Sequence, residues 1–130
     1  MADEAQLVWD EWIERSKGSR IWVGGHNMEA RRIIEPQLVD CIRPPTGPLD
    51  AAFICPLTID EAVYFAQKLM PRLVSAGRIT VLTRQEDGQE SLLDGIVVDV
   101  MTQQFFEIGF ELVKSVPASD SLQAVCFTQD

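Results

Sequence analysis

Hydrophobic residues in this chain follow two spacings, one typical of helices and one typical of short buried strands. Residues 3–16 have helical spacing, with Asp10 and Glu11 on the opposite face. The apolar stripe of this helix consists of Ala5, Val8, Trp9, Trp12 and Ile13. We expect the two tryptophans to pack the helix onto the rest of the protein. A partner-binding stripe is the alternative.

Four short apolar runs predict strands. They are residues 20–23, 38–42, 50–55 and 79–83. The third run is apolar on both faces, as is typical of parallel strands that are covered on both sides.

A first helix is predicted between these strands over residues 27–35. Asn27 is a suitable N-cap, and Pro36 is expected to end the helix. The PPTGP stretch over residues 44–48 predicts a rigid, exposed loop.

The next helix has the clearest start signal in the chain. Thr58 and Glu61 form a T-x-x-E capping box, which satisfies free N–H groups at a helix start. Apolar residues then keep a helical period as far as Val74. Pro71 is expected to kink this helix or to start a second piece, and Gly77 to cap its end.

The last third of the sequence predicts a loop, a helix and a hairpin. Helical spacing over residues 91–108 competes with the β-branched run at residues 96–98, and a helix that ends at Gly109 is favoured. The loop covers residues 85–90, and the hairpin strands cover residues 110–116 and 122–128, joined by residues 117–121.

These elements predict an α/β fold over one domain, residues 1–130. Strands that alternate with helices favour a mostly parallel, Rossmann-like sheet with helices on both faces, followed by a C-terminal antiparallel β-hairpin.

Charge and cysteine content narrow the functions that are expected. The formal net charge is −9, from 20 acidic and 11 basic residues, so binding to nucleic acid or to an anionic membrane is disfavoured. The start of the chain is acidic and amphipathic, unlike a signal peptide, which favours a cytoplasmic protein. Cys41, Cys55 and Cys126 lie far apart and are expected to be small buried residues in a reducing compartment.

From residue 49 onward the chain resembles the C-terminal half of class I S-adenosylmethionine-dependent methyltransferases. An Asp-led strand at Asp50 precedes a helix, and a "GRITVLT" strand follows at residues 77–83. A helix that ends in "GF" at residues 109–110 and a closing hairpin complete the similarity. The resemblance implies a Rossmann-like fold and S-adenosylmethionine as the ligand.

The first half of the chain departs from this family. Family members hold the cofactor against a glycine-rich loop after the first strand, and here that loop has Gly24 and Gly25, without an acidic lead or a third glycine. By the same resemblance, Asp40 is the candidate for the carboxylate that binds the ribose. The candidates for binding an adenosyl ligand are Gly24, Gly25, His26, Asp40 and Cys55.

His26 and Cys55 also form the sharpest candidate for catalysis. If the sheet follows the strand order of the methyltransferases that the chain resembles, the first and third predicted strands are neighbours. Their carboxyl ends then meet where open α/β sheets bind ligands, and an imidazole could activate a thiol. A buried strand-end cysteine beside a surface histidine is the favoured interpretation, so no catalytic residue is assigned. One histidine and three dispersed cysteines also predict no metal site.

Two classes of function therefore stay open. The favoured one is a non-catalytic binding or assembly module on a methyltransferase scaffold, without a cofactor, whose partner is another protein or a second copy. The alternative is an adenosyl-ligand-binding protein or methyltransferase-type enzyme that uses the carboxyl ends of the strands. Whether the protein is an enzyme is left open, and the balance favours that it is not.

Overall fold

The computed structural model describes residues 4–17, 19–42, 47–84, 95–118 and 122–129. Helices and strands alternate along them, with short 3₁₀ turns at Val39–Cys41 and Met70–Arg72. The elements are α1 (Glu4–Ser16), β1 (Ile21–Gly24), α2 (Met28–Leu38), β2 (Leu49–Ile54), α3 (Ile59–Leu69), β3 (Leu73–Arg84), α4 (Gly95–Ile108), β4 (Phe110–Pro117) and β5 (Leu122–Gln129). In the described part of the chain, no helix has the length and apolar character that crossing a membrane requires.

The five strands form one sheet in the order β1-β2-β3-β5-β4. β1, β2 and β3 are parallel, and β5 runs antiparallel to both β3 and β4. This arrangement confirms the predicted α/β fold, with a parallel sheet followed by a C-terminal antiparallel hairpin.

Helices cover both faces of the sheet. α1 and α2 pack on one face through side chains that include Trp9, Trp12 and Ile34, and α3 and α4 pack on the other through side chains that include Ala66 and Phe105. Because the central strands contribute to both apolar layers, the continuous apolar run of β2 is fully explained.

The tryptophans of α1 attach this helix to the sheet, as predicted. Trp9 and Trp12 are 2% and 3% exposed. The Trp12 indole N–H donates to Thr80 Oγ1 of β3 at 2.7 Å, and Arg78 and Lys114 lie over the Trp12 ring. The tryptophan stripe is therefore part of the core and is not free to bind a partner.

The predicted strand at residues 38–42 is wrong, and so is the predicted helix end at Pro36. α2 continues through Pro36 to Leu38, and a 3₁₀ turn follows. Ile34 and Leu38 lie one helical turn apart and both are buried, so packing carries the helix past the proline. Ile42 retains a single parallel bridge to Ile21.

The helix predicted as far as Val74 is also too long. α3 ends at Leu69, Pro71 lies in a 3₁₀ turn, and β3 begins at Leu73, which pairs with Leu49. A proline provides no N–H to continue a helix, and pairing with β2 then takes over. Gly77 therefore lies within β3 and does not cap a helix.

The C-terminal predictions are confirmed where the structure describes them. Residues 95–108 form α4, so the β-branched run at residues 96–98 is helical. β4 and β5 form the hairpin. The predicted loop at residues 85–90, the first residues of the predicted helix, 91–94, and part of the loop at residues 44–48 lie outside the described residues.

Candidate functional site

The carboxyl ends of β1 and β2 are neighbours, as the resemblance to methyltransferases implied. Gly24, the last residue of β1, pairs with Ile54, the last residue of β2. Residues 24–27 therefore lie against residues 55–58 at the edge where open α/β sheets bind ligands. We call residues 24–27 the β1 loop.

A tryptophan of the same strand explains why position 24 is a glycine. A Cβ atom at position 24 would overlap the outer ring of the Trp22 indole. Trp22 is in turn packed against Phe65 of α3, with ring centroids 5.1 Å apart. The space beside Gly24 is thus filled from within the protein.

Backbone geometry explains why position 25 is a glycine. Its φ angle of +116° lies in a region that residues with a side chain rarely adopt, and a Cβ there would overlap the backbone carbonyl of Cys55. The two chain segments also exchange backbone hydrogen bonds, from Asn27 N to Cys55 O at 2.9 Å and from Cys55 N to Gly24 O at 2.8 Å. The β1 loop therefore lies directly on the end of β2.

Glu61 holds the same two segments together with its carboxylate. Oε1 accepts hydrogen bonds from the backbone N–H groups of His26 at 2.9 Å and Leu57 at 3.2 Å. Oε2 lies 2.7 Å from His26 Nδ1, which donates because an ionised carboxylate only accepts. We call this set of contacts the Glu61 clamp.

The sequence identified Glu61 but not this role. As the capping box predicts, Thr58 Oγ1 accepts from Glu61 N at 3.1 Å. The carboxylate, however, bonds the β1 loop 35 residues away, and the sequence holds no signal for that contact. Burial favours a higher pKa for Glu61, but the hydrogen bonds from His26 and Leu57 outweigh it, so the pKa lies below its usual value.

The structure does not assemble His26 and Cys55 into a thiol–imidazole pair. The Cys55 side chain is fully buried, and burial raises the pKa of its thiol to about 12. The His26 side chain is 74% exposed and its ring is bonded to Glu61. Cys55 therefore stays protonated near neutral pH and is not an activated nucleophile.

Asp40 lies away from the other candidates. It belongs to the 3₁₀ turn at Val39–Cys41, after α2 has run back along the sheet. Two residues later Ile42 bridges Ile21, the first residue of β1. Asp40 is therefore near the amino edge of the sheet, whereas Gly24 and Gly25 are at its carboxyl edge.

The α2 side of the β1 loop is held by an arginine. Arg31 donates to the Gly25 carbonyl at 3.2 Å, and its guanidinium pairs with Glu35 at 2.7 Å. Asn27 caps α2 as predicted, since its side chain accepts from Ala30 N. Within the described ranges, no three histidine, cysteine, aspartate or glutamate side chains are grouped to hold a metal ion.

Comparison with known proteins identifies similar structures but no similar sequences. No protein-family model matches the chain, and no curated protein matches it. A methyltransferase from Pyrococcus furiosus is similar with a TM-score of 0.61 and 10% identity, over 93% of this chain and 81% of that one.

Two further solved structures are similar. The fibrillarin pre-rRNA processing protein from Methanococcus jannaschii has a TM-score of 0.54 and 10% identity, over 84% of this chain and 55% of that one. Magnesium protoporphyrin IX methyltransferase from Synechocystis PCC 6803, solved with bound SAH, has a TM-score of 0.53 and 9% identity, over 96% of this chain and 83% of that one. At these identities the similarity shows the fold, and this chain has the fold of class I methyltransferases.

Proposed function

We propose that this protein is a non-catalytic binding or assembly module built on a methyltransferase scaffold. In this proposal it is a shortened, cytoplasmic relative of the methyltransferases, and its β1 loop stabilises the fold instead of holding a cofactor. The observation that carries the proposal is the direct packing of the β1 loop on the end of β2.

This packing uses the groups that a cofactor would need. A glycine-rich loop binds ligands because it lets them approach the backbone closely and offers them free N–H groups. Here the Trp22 indole lies beside Gly24, and the Cys55 backbone lies against Gly25. The N–H groups of His26 and Asn27 already donate to Glu61 and Cys55.

The side chains of the site support the same proposal. The Glu61 carboxylate accepts from three donors, and the Cys55 thiol is buried and protonated. Asp40, the candidate for binding a ribose, lies near the opposite edge of the sheet. The residues at the carboxyl edge therefore fit an adenosyl ligand poorly.

Thermal unfolding with added ligands tests this proposal. S-adenosylmethionine, S-adenosylhomocysteine, NAD, ATP and flavin, each at millimolar concentration, are expected to leave the unfolding temperature unchanged. A ligand at a hundred times its dissociation constant would add about 2.7 kcal/mol and raise the midpoint by several degrees. A rise with S-adenosylmethionine or S-adenosylhomocysteine would overturn the proposal.

An adenosyl-binding protein or methyltransferase-type enzyme is the second candidate. It is favoured by the fold, since the Synechocystis enzyme with a similar structure was solved with bound SAH. In this chain it requires the Glu61 clamp to open, because the clamp and the Cys55 backbone hold the β1 loop closed. A Glu61→Ala variant that binds S-adenosylhomocysteine would support this candidate.

A further inference from the structure

β4 is an edge strand that exposes apolar side chains. It pairs only with β5 among the described strands, so its outer backbone groups face away from the sheet. Leu112 and Val113 are 42% and 50% exposed, and Phe106 of α4 is 62% exposed. We call Phe106, Leu112 and Val113 the edge patch.

The edge patch continues an aromatic cluster of the core. Leu112 is directly opposite Phe127, which is buried and whose ring lies 4.4 Å from that of Phe105. Phe105 precedes Phe106 on α4. The apolar layer between α4 and the sheet therefore reaches the outer edge of β4 without being covered there.

A β-bulge places two opposite charges on one face of this edge. Glu111 is opposite Thr128 and Lys114 is opposite Cys126, with the irregularity between Leu112 and Lys114. Thr128 and Cys126 are two residues apart in β5, so they and their partners point to the same face. Without the extra residue, Glu111 and Lys114 would point to opposite faces.

The order acidic, apolar, apolar, basic in residues 111–114 is self-complementary. When two such strands meet antiparallel across a two-fold axis between Leu112 and Val113, Glu111 is opposite the partner's Lys114, and the reverse pair forms as well. Side chains directly opposite each other in antiparallel strands are close enough to interact. Leu112 and Val113 lie between the two charge pairs along the strand, and Leu112 is on the opposite face from the charges.

We propose that a second copy of this chain binds along β4 in this antiparallel arrangement. The inference rests on the proposed assembly function and names its surface. Lys114 is held on the required face by its position over the Trp12 ring, 4.6 Å from the centroid. Glu111 is exposed and forms no ion pair with the described residues.

Charge pairing matters more here than in a neutral protein. Each copy has a formal charge of −9, so two copies repel each other on approach. The two crossed Glu111–Lys114 pairs offset this repulsion at the contact. A single charge reversal converts both attractive pairs into repulsive ones, and we expect the dimer to weaken by at least about tenfold.

Light scattering coupled to size exclusion, over a range of concentrations, tests this proposal. The wild type is expected at twice its chain mass of 14.6 kDa, and the Glu111→Lys variant at the mass of one chain. The Glu111→Lys/Lys114→Glu double variant restores the charge pairs and is expected to dimerise. An equimolar mixture of the Glu111→Lys and Lys114→Glu variants is expected to form a heterodimer. The first variant has two basic residues at this site, and the second has two acidic ones.

Two controls separate association from folding. Val39→Ser removes an exposed apolar side chain near β1, at the other end of the strand order from β4, and is expected to leave the dimer intact. Circular dichroism establishes that each variant is folded. If Lys114→Glu disturbs the contact with Trp12 and unfolds the protein, the Glu111→Lys variant alone decides the test. A wild-type monomer at all concentrations, or a Glu111→Lys dimer, would overturn this inference. Neither result bears on ligand binding at the carboxyl edge, which tests the proposed function separately.

Discussion

Replacing Gly25 with alanine tests whether the β1 loop is structural. The new Cβ would overlap the Cys55 carbonyl, which belongs to the backbone and cannot rotate away. Alanine is also strained at a φ angle of +116°. To relieve both problems, the loop must lift from β2 and release the hydrogen bond from Asn27 to Cys55.

The expected loss of stability combines these effects. A residue with a side chain in a sparsely populated backbone region costs about 1–3 kcal/mol. Loss of a backbone hydrogen bond adds about 1 kcal/mol. Gly25→Ala is therefore expected to lower the free energy of unfolding by about 2–4 kcal/mol, a large part of the 5–15 kcal/mol typical of a domain.

Urea unfolding, followed by circular dichroism without any ligand, measures this effect. Gly24→Ala is expected to lose less, about 1–2 kcal/mol, because the overlapping Trp22 ring is a side chain that can shift. Gly47→Ala is the matched control, since its Cβ would meet no atom within 4 Å, and its stability should stay within about 0.5 kcal/mol of wild type or rise. Equal stability of the Gly25 and Gly47 variants would refute a structural role for Gly25.

Three further predictions follow from contacts in the core and the clamp. Trp12→Phe is expected to lower the free energy of unfolding by about 1–3 kcal/mol in urea, because it removes the indole donor to Thr80; an unchanged midpoint would contradict the packing of α1. The pKa of Glu61 is lowered in the folded state, so its stabilisation is present above the unfolded pKa of about 4.3 and is lost as the pH falls through the folded value. Urea midpoints measured across this range should fall more steeply for the wild type than for Glu61→Gln, and parallel curves would argue against the clamp. Burial raises the pKa of Cys55 to about 12 and of Cys126 to about 11, so at pH 8 both thiols should react with a disulfide reagent only as fast as the protein unfolds; rapid reaction of the native protein would contradict their burial.

The sequence predicted those parts of the fold that local patterns determine. The Trp12 stripe, the Thr58 cap and the apolar run of β2 each produced the expected element, because spacing and capping act over a few residues. The errors at Pro36 and Leu73 arose where tertiary contacts override local preference. Burial extends α2 beyond its proline, and pairing with β2 makes Leu73 the start of a strand.

The approach of the β1 loop to the end of β2 was expected, but the contacts between them were not. That approach follows from the strand order of the methyltransferases, which the resemblance supplied. The bond from Glu61 to His26 joins residues 35 apart, and no local signal encodes it. The apolar neighbours of Asp40 suggested a strand, whereas the chain forms a 3₁₀ turn there, near the opposite edge of the sheet.

A nuclear magnetic resonance titration with S-adenosylhomocysteine tests the central claim most directly, because it reports on the backbone amides of the β1 loop. The amides of Gly25, His26 and Asn27 contact or lie beside the Glu61 clamp and the end of β2. If the loop is a structural element, these signals stay unchanged as ligand is added to millimolar concentration. Saturable shifts confined to these amides and Leu57 would contradict the account and establish an adenosyl-binding site.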